Sequence, residues 1–413
     1  MRDMFMRLLA RLSVGRKLLL IYLLDLTAVI FISGILINEK YIAIDFARDE
    51  LRGNAYIPVL RDTMIDVALA SRQTNADRIL HQSDLLVAAE QRFGDGLGSA
   101  DVNAALVGSV RRIATTPADK DAAITATLSI GRDLATRIGN QSKLILDPDL
   151  DSYYTMSLTV LRFPELLEVA EGIGSLLHAE PPAQRARDSD ARTRYLILEG
   201  RLDAIVKGIE SDFSEAMSAG GDPVRSALNP GREKLAASVE AFRLAARGVS
   251  EGGPSRTRLD GIEAASVALA SELRETWRVT GIELDRLLNA RIDGLFVRMW
   301  LHLGIAVCLL CAILVMVYFV ARQIAKPLRH LSDVTDTVGK TGDYSLRAKW
   351  ASQDEIGRLV IGFNSMLGQL DRDRETQKEL AANARAAAAQ QALVEATPIP
   401  MVVTAIPGHE VLH

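Results

Sequence analysis

Ile324-Ala-Lys-Pro-Leu-Arg-His-Leu331, Gly342-Asp-Tyr-Ser-Leu346 and Asp354-Glu-Ile-Gly-Arg-Leu359 follow one another directly after an apolar stretch, and their order decides how the chain is read. Ile324, Leu328, Leu331, Thr335 and Val338 recur at four-three-four-three spacing, which predicts one helix with a single apolar seam. Pro327 sits where that helix leaves the apolar stretch and is expected to kink or restart it. Gly342 opens a connector in which Tyr344 and Leu346 are expected to lie along a helical groove. Glu355 then brings negative charge to the start of a second helix, where the helix dipole favours it. The second seam runs Ile356, Leu359, Phe363, Met366 and Leu370.

This succession of membrane exit, proline, short helix, glycine turn, acidic residues and second helix resembles the HAMP linker of bacterial transmembrane receptors. The resemblance covers residues 322–374. It implies that Pro327, Leu328, Leu331, Gly342, Glu355, Ile356, Leu359, Phe363 and Met366 relay movement of a membrane helix to a cytoplasmic partner domain. Two short seams in one chain close best as a parallel four-helix bundle with a second copy, so a homodimer is expected. The spacing continues through Asp373, Gln377, Leu380, Ala384, Ala387, Gln391 and Val394, with mostly polar or small seam residues. We read 375–394 as a signalling coiled-coil helix.

Two apolar stretches, Leu18–Ile37 and Met299–Val320, are each long enough to span a bilayer. They predict transmembrane helices at 18–38 and 298–321. Arg2, Arg7, Arg11, Arg16 and Lys17 precede the first; Arg322, Lys326 and Arg329 follow the second. The positive-inside rule therefore places both termini, including the 1–17 segment, in the cytoplasm. Residues 39–297 then lie outside the bacterial inner membrane, in the periplasm. The first stretch is longer than a signal-peptide core and no small-x-small site follows it, so an uncleaved anchor is expected. Asp25 falls about 11 Å inside that helix at 1.5 Å per residue, and an intramembrane carboxylate is a functional candidate by default.

Outside the spans, the chain of 413 residues is short of aromatics (5%) and carries a net charge of −4. That balance speaks against general nucleic-acid binding. Alternation of β-branched residues is absent over long stretches, so the fold class expected is all-α: two transmembrane helices, an extended periplasmic helical bundle, a HAMP coiled coil and a signalling helix. Cys308 and Cys311 both lie in the second apolar stretch, so no disulfide framework supports residues 39–297. Breakers cluster at Gly94–Gly98, Thr116-Pro117, Pro181-Pro182, Gly220–Pro223 and Gly252–Pro254. Between them lie helical patterns such as Leu196, Ile197, Leu202, Ile205 and Ile209. The size of this segment resembles the helical bimodular type of sensor, in which two bundles stack end to end along the long helices.

The run Leu146-Asp-Pro-Asp-Leu-Asp-Ser-Tyr-Tyr154, continuing to Arg162, resembles one found in the outer domains of some bacterial sensor proteins. Pro148 suits a helix start, and Asp149 or Asp151 is placed to cap it. Asp149, Asp151, Tyr153, Tyr154 and Arg162 form the first ligand-binding candidate, able to hold an amine through the aspartates or a carboxylate through Arg162. Asn54, Tyr56 and Arg61, around a kink expected at Pro58, form the second. A small-molecule ligand and the lipid bilayer are the further partners expected.

The six histidines are scattered and show no metal-ligand spacing, and no catalytic arrangement or cofactor motif is present in the sequence. Leu393–Ala405 and His409–His413 resemble the first two strands of a PAS domain, joined by a turn at Ile406. An incomplete α+β PAS start is thus expected over 395–413, with the remainder and an output domain further along. By domain order, the resemblance implies a nucleotide cyclase or histidine kinase output, and makes a chemotaxis-type receptor the lesser alternative. A different class of reading is a membrane adaptor whose outer bundle binds a partner protein and no small ligand.

Overall fold

The computed structural model describes residues 14–70, 76–115, 120–179, 189–252, 255–396, 403–404 and 411–412. The breakers at Thr116-Pro117, Pro181-Pro182 and Gly253-Pro254, the basic residues Arg2, Arg7 and Arg11, and the turn at Ile406 lie outside these. The protein is all-α, as its composition demands, apart from one minimal strand pair. The helices are α1 (Val14–Leu69), α2 (Ala76–Phe93), α3 (Ala100–Thr115), α4 (Lys120–Gln141), α5 (Leu150–Met156), α6 (Phe163–Ala179), α7 (Ser189–Gly252), α8 (Arg256–Thr341) and α9 (Glu355–Glu395). A 3-10 turn, Leu144–Leu146, precedes α5, and a π-helical turn, Ser157–Arg162, joins α5 to α6. Strands β1 (Val403–Thr404) and β2 (Val411–Leu412) pair antiparallel, with Val403 opposite Leu412. Two strands this short do not close a core.

The chain divides into two compact units, residues 34–302 and residues 1–33 with 303–413. In the first, helix amphipathicity explains the packing directly. Ile79, Leu86 and Ala89 share the buried face of α2; Leu106, Val107, Val110 and Ile113 share that of α3. One core runs from Tyr56 to Leu288, and Phe163, Phe213 and Trp277 meet at its centre from α6, α7 and α8. Of the seam beginning at Leu196, Leu202, Ile205 and Ile209 are buried, whereas Leu196 and Ile197 face solvent.

The expected break at Gly220–Pro223 is a hairpin. Gly221 takes φ 67°, a region that glycine enters without a Cβ penalty. The two halves of α7 then run antiparallel, joined by Glu210–Arg232 (2.8 Å), Asp203–Arg243 (3.5 Å) and Glu199–Arg247 (2.6 Å). The Gly94–Gly98 loop is also where the composition placed it, whereas α1 runs through Pro58 without ending.

End-to-end stacking of two bundles is not what the contacts within this unit show. Asp66 of α1 meets Arg78 and Gln82 of α2 and Arg274 of α8. Two residues earlier, Met64 lies against Gly131 of α4, while Thr276 of α8 bonds Gly231 of α7. Ala68 and Leu69 share a small cavity with Leu166 and Leu167 of α6. Helices from early and late in the chain thus lie side by side over the same stretch of α1 and α8.

In the second unit, α1 and α8 each hold an apolar window long enough to cross a membrane, with mean hydropathy 2.4 and 2.9 and no residue of either window buried. A soluble core helix would be buried, so this exposure favours a lipid environment. Tyr22 of α1 donates its hydroxyl to the carbonyls of Leu314 (3.1 Å) and Ile313 (3.3 Å) of α8.

Candidate functional site

The Asp147–Tyr154 run is organised by a residue the sequence reading passed over. Arg291, on α8, donates from Nη1 to Glu50 of α1 (2.8 Å) and from Nη2 to Ser152 of α5 (2.8 Å) and to Asp147. Its Nε lies 2.9 Å from a carboxylate oxygen of Asp149. The side chains of Glu50 and Asp147 are fully buried. Three carboxylates therefore surround one guanidinium.

Asp149 occupies the cap position of α5 but makes no side-chain capping bond, contrary to expectation, because its carboxylate turns toward Arg291. Asp147 instead accepts the Asp149 N–H (3.0 Å), the short-range bond that favours aspartate in turns. Asp151 accepts the N–H of Ser152 (2.8 Å). Tyr153 and Tyr154 stack edge to face, with centroids 5.2 Å apart, and pack on the core.

Arg162 also bonds within the chain. Its Nε donates to Asp212 (2.9 Å), which also accepts from Ser157 (2.7 Å). Residues five apart stand about 140° apart around an α-helix at 3.6 residues per turn. The wider π turn brings Ser157 and Arg162 to one face, where both reach the same carboxylate. Pro164 supplies a local cause: it has no N–H to offer Val160, and Phe163 bonds back to Leu158, five residues earlier.

The second expected cluster does not assemble. Asn54 donates to the Gly281 carbonyl (3.0 Å) and to Asp285 (2.9 Å), Tyr56 donates to Glu90 (2.9 Å), and Arg61 pairs with its neighbour Asp62. Asn54 and Tyr56 serve contacts with different helices, and Arg61 pairs within α1. Burial, with Glu90 beside it, pushes the Tyr56 phenol up, so it stays a donor. Asp25 is exposed on α1 and, among the described residues, makes no ion pair. Arg322, the nearest basic candidate, donates instead to Tyr318 (2.9 Å).

After the second span, Leu331, Ala348 and Val360 form a small core with Val334, Trp350 and Phe363. Pro327 is buried inside α8, which neither ends nor restarts there, and Leu328 and Ile356 are half-buried. Of the predicted second seam, Leu359, Met366 and Leu370 are exposed, and Val360 and Leu367 take the buried face within the chain. Gly342 (φ 64°) ends α8. Two unpredicted residues fix the connector. Asn364 donates to the Ala348 carbonyl (2.9 Å) and accepts its N–H (2.9 Å). Asp354 caps α9 by accepting the Gly357 N–H (2.9 Å), and Glu355 lies in the first turn as its charge predicts. A Cβ on Gly357 would sit 1.8 Å from the Ser352 carbonyl oxygen, so only glycine fits that turn.

Glu50, Arg291 and Asp212 carried one weak signal, namely charge beside or within an apolar helical pattern. A charge buried there requires a partner, but its partner is hundreds of residues away for the Glu50–Arg291 pair.

No curated protein and no solved structure matches the chain. Residues 319–372 match the HAMP domain family, a signal-transduction linker of sensor and receptor proteins, in agreement with the 322–374 expected from the residues alone.

Proposed function

We propose that the protein is a bacterial transmembrane receptor in which residues 39–297 sense a stimulus in the periplasm and the HAMP domain passes it to a cytoplasmic output. The observation that carries this reading is the composition of α8. One helix supplies Trp277, Leu284 and Leu288 to the core of the helical unit, then the apolar window, then the first part of the HAMP match. A small displacement or rotation of such a helix changes packing around Leu331. Arg16 and Lys17 before the first span, and Arg322, Lys326 and Arg329 after the second, support cytoplasmic termini at the inner membrane.

The receptor acts as a homodimer. Leu359, Met366 and Leu370 are exposed in one chain, and every residue from 372 to 393 is exposed on all faces of α9. A helix without tertiary packing is marginal in water, and a second copy packed against it in parallel removes that cost. Residues 375–394 then lead into a PAS domain beginning near 395 and an output of the nucleotide cyclase or histidine kinase class.

Occupation of Asp147, Asp149 and Arg162 by partners within the chain favours a second reading of the stimulus: a protein or an ion acting on the helical unit, in place of an organic ligand between Asp149 and Tyr154. The test is a one-residue deletion within 373–391 of the receptor carrying its downstream domain. Output that loses its response, with the protein still in the membrane, is expected. An unchanged response overturns coupling through this helix. A panel of organic acids, amino acids and polyamines, read by thermal melting, separates the stimulus classes, since a ligand that binds only the folded state raises its melting temperature.

A further inference from the structure

We infer that the cluster around Arg291 is a proton-binding site, with Glu50 as the group that gains and loses the proton and the joint between α1 and α8 as what it controls. The inference names a stimulus for the helical unit and rests on the signalling reading only for its use.

The charge count comes first. From α1 the cluster receives Glu50, from the turn before α5 Asp147 and Asp149, from α5 Ser152, and from α8 Arg291. Asp49, next to Glu50, does not add to it, because Lys143 neutralises it at 2.9 Å. Asp151 is held by the N–H of Ser152, and Asp285, further along α8, by Asn54. With all three acids ionised, one positive charge faces three negative ones.

The second observation is what those acids lack. Glu50 Oε1 and Asp147 Oδ2 are both buried and have no hydrogen-bond partner. A buried, unpaired carboxylate oxygen is costly, and a cation relieves it. Among the described residues no group of three or more His, Cys, Asp or Glu side chains is placed to hold a metal ion. The cation with the least demand for space or geometry is a proton. Burial, followed by the charge of Asp147, pushes the Glu50 carboxyl up to about 8, so it is neutral at ordinary pH and ionises in mild alkali.

Ionisation leaves one uncompensated negative charge among the buried side chains, because Asp149 is 55% exposed and Arg291 offsets only one of Glu50 and Asp147. Repulsion then falls on the contact between Glu50 and the Asp147–Asp149 turn, which Arg291 bridges. The two helices joined by Glu50 and Arg291 are those that carry the apolar spans. Proton loss therefore loosens the joint between the two helices best placed to report it.

The experiment uses the full chain in lipid nanodiscs, with Cys308→Ala and Cys311→Ala and spin labels on Arg48→Cys and Asn289→Cys, diluted with unlabelled chain. The distance distribution between the labels is measured from about pH 6 to about pH 10, a range that brackets the shifted carboxyl. A broader, longer distribution with a midpoint near that of Glu50 is expected, and Glu50→Gln is expected to hold the low-pH distribution throughout. An unchanged wild-type distribution overturns the inference, and so does a Glu50→Gln protein that keeps the transition. Infrared difference spectroscopy of unsubstituted protein gives an independent reading. A buried carboxylic-acid C=O band must be present at the acid end and vanish on titration, and its absence at the acid end also overturns the proposal. Neither measurement needs an output, so failure here leaves the relay standing. Conversely, loss of the relay with the transition intact breaks only the signalling reading.

Discussion

Two buried ion clusters tie α1 to α8, and they have opposite charge balance. At Asp66, one carboxylate receives both guanidinium arms of Arg78, a further bond from Arg274 and the amide of Gln82. Its two oxygens are satisfied and positive charge is in excess. At Arg291, one guanidinium serves three carboxylates and two acid oxygens are left unpaired. The difference teaches what each can do. At Asp66 both acid oxygens already have their donors, so the cluster acts as a staple. At Arg291 the Glu50 carboxyl is pushed up to about 8 by burial and then by Asp147, so that cluster changes charge with its surroundings.

The largest effect is expected from Arg291→Met. It leaves the fully buried Asp147 without a counter-charge and Glu50 without its donor, and breaking a buried ion pair from one side costs about 3–5 kcal/mol. Chemical denaturation of the solubilised chain, followed by circular dichroism, reads it. Acid should restore much of the loss, because protonated carboxyls no longer need the guanidinium. A variant equally unstable in acid and at neutral pH would mean that Arg291 contributes packing and not charge.

Asp66→Asn should cost less, about 2–3 kcal/mol, since the amide oxygen still accepts one bond while the charge assistance is lost. No acid rescue is expected, because Arg78 and Arg274 stay positive. The contrast in pH response between these two substitutions is the sharpest test of the comparison. If both are rescued by acid, or neither is, the clusters are not different in kind.

How much of this was legible in the sequence depends on the range of the interaction. The spans and the HAMP linker were readable because their determinants are local: hydropathy over one window, and Pro327, Gly342 and Glu355 in order along a few turns. The hairpin at Gly221 was readable for the same reason. Arg291 and Glu50 are 241 residues apart, and no periodicity connects them. The Asp147–Tyr154 run stands out locally, but the arginine that meets Asp147 and Asp149 is far away in sequence. The π turn was missed since helical periodicity assumes a uniform 3.6-residue repeat, although Pro164 was there to break it. In the linker, the spacing through Leu359 and Met366 identified an apolar face. It did not separate that face from the neighbouring one, Val360 and Leu367, which packs within the chain.

A smaller effect, spread over pH, is expected at Glu50. Its folded-state pKa, about 8, lies above its ordinary 4.5, so the folded protein holds the proton more tightly than the unfolded chain. The associated stability is fully present below pH 4.5 and is lost as pH rises through about 8, with a slope of no more than about 1.4 kcal/mol per pH unit. Glu50→Gln should remove that slope while Asp66→Asn retains it. Denaturation midpoints at stepped pH decide the matter, and a slope that survives in Glu50→Gln assigns it to another acid.

The smallest effect belongs to Asp354, and its sign is opposite. The Ser352 hydroxyl and then the Gly357 N–H hold the Asp354 carboxyl below its ordinary value of 3.8. Its contribution is thus present above pH 3.8 and is lost as pH falls through the lowered value. Asp354→Ala should lower the melting temperature of the linker helix slightly at neutral pH and not at all in strong acid, because an exposed cap is screened by solvent and protonation already weakens it. The helical unit and the linker therefore respond to pH in opposite senses: alkali loosens the first at Glu50, and acid loosens the second at Asp354. Thermal melts monitored separately through Trp277 in the core and Trp350 in the linker, each kept as the sole tryptophan, distinguish the two. A linker transition that shifts with alkali in the same way as the core, and does so in Glu50→Gln as well, would place the alkaline sensitivity outside the Arg291 cluster.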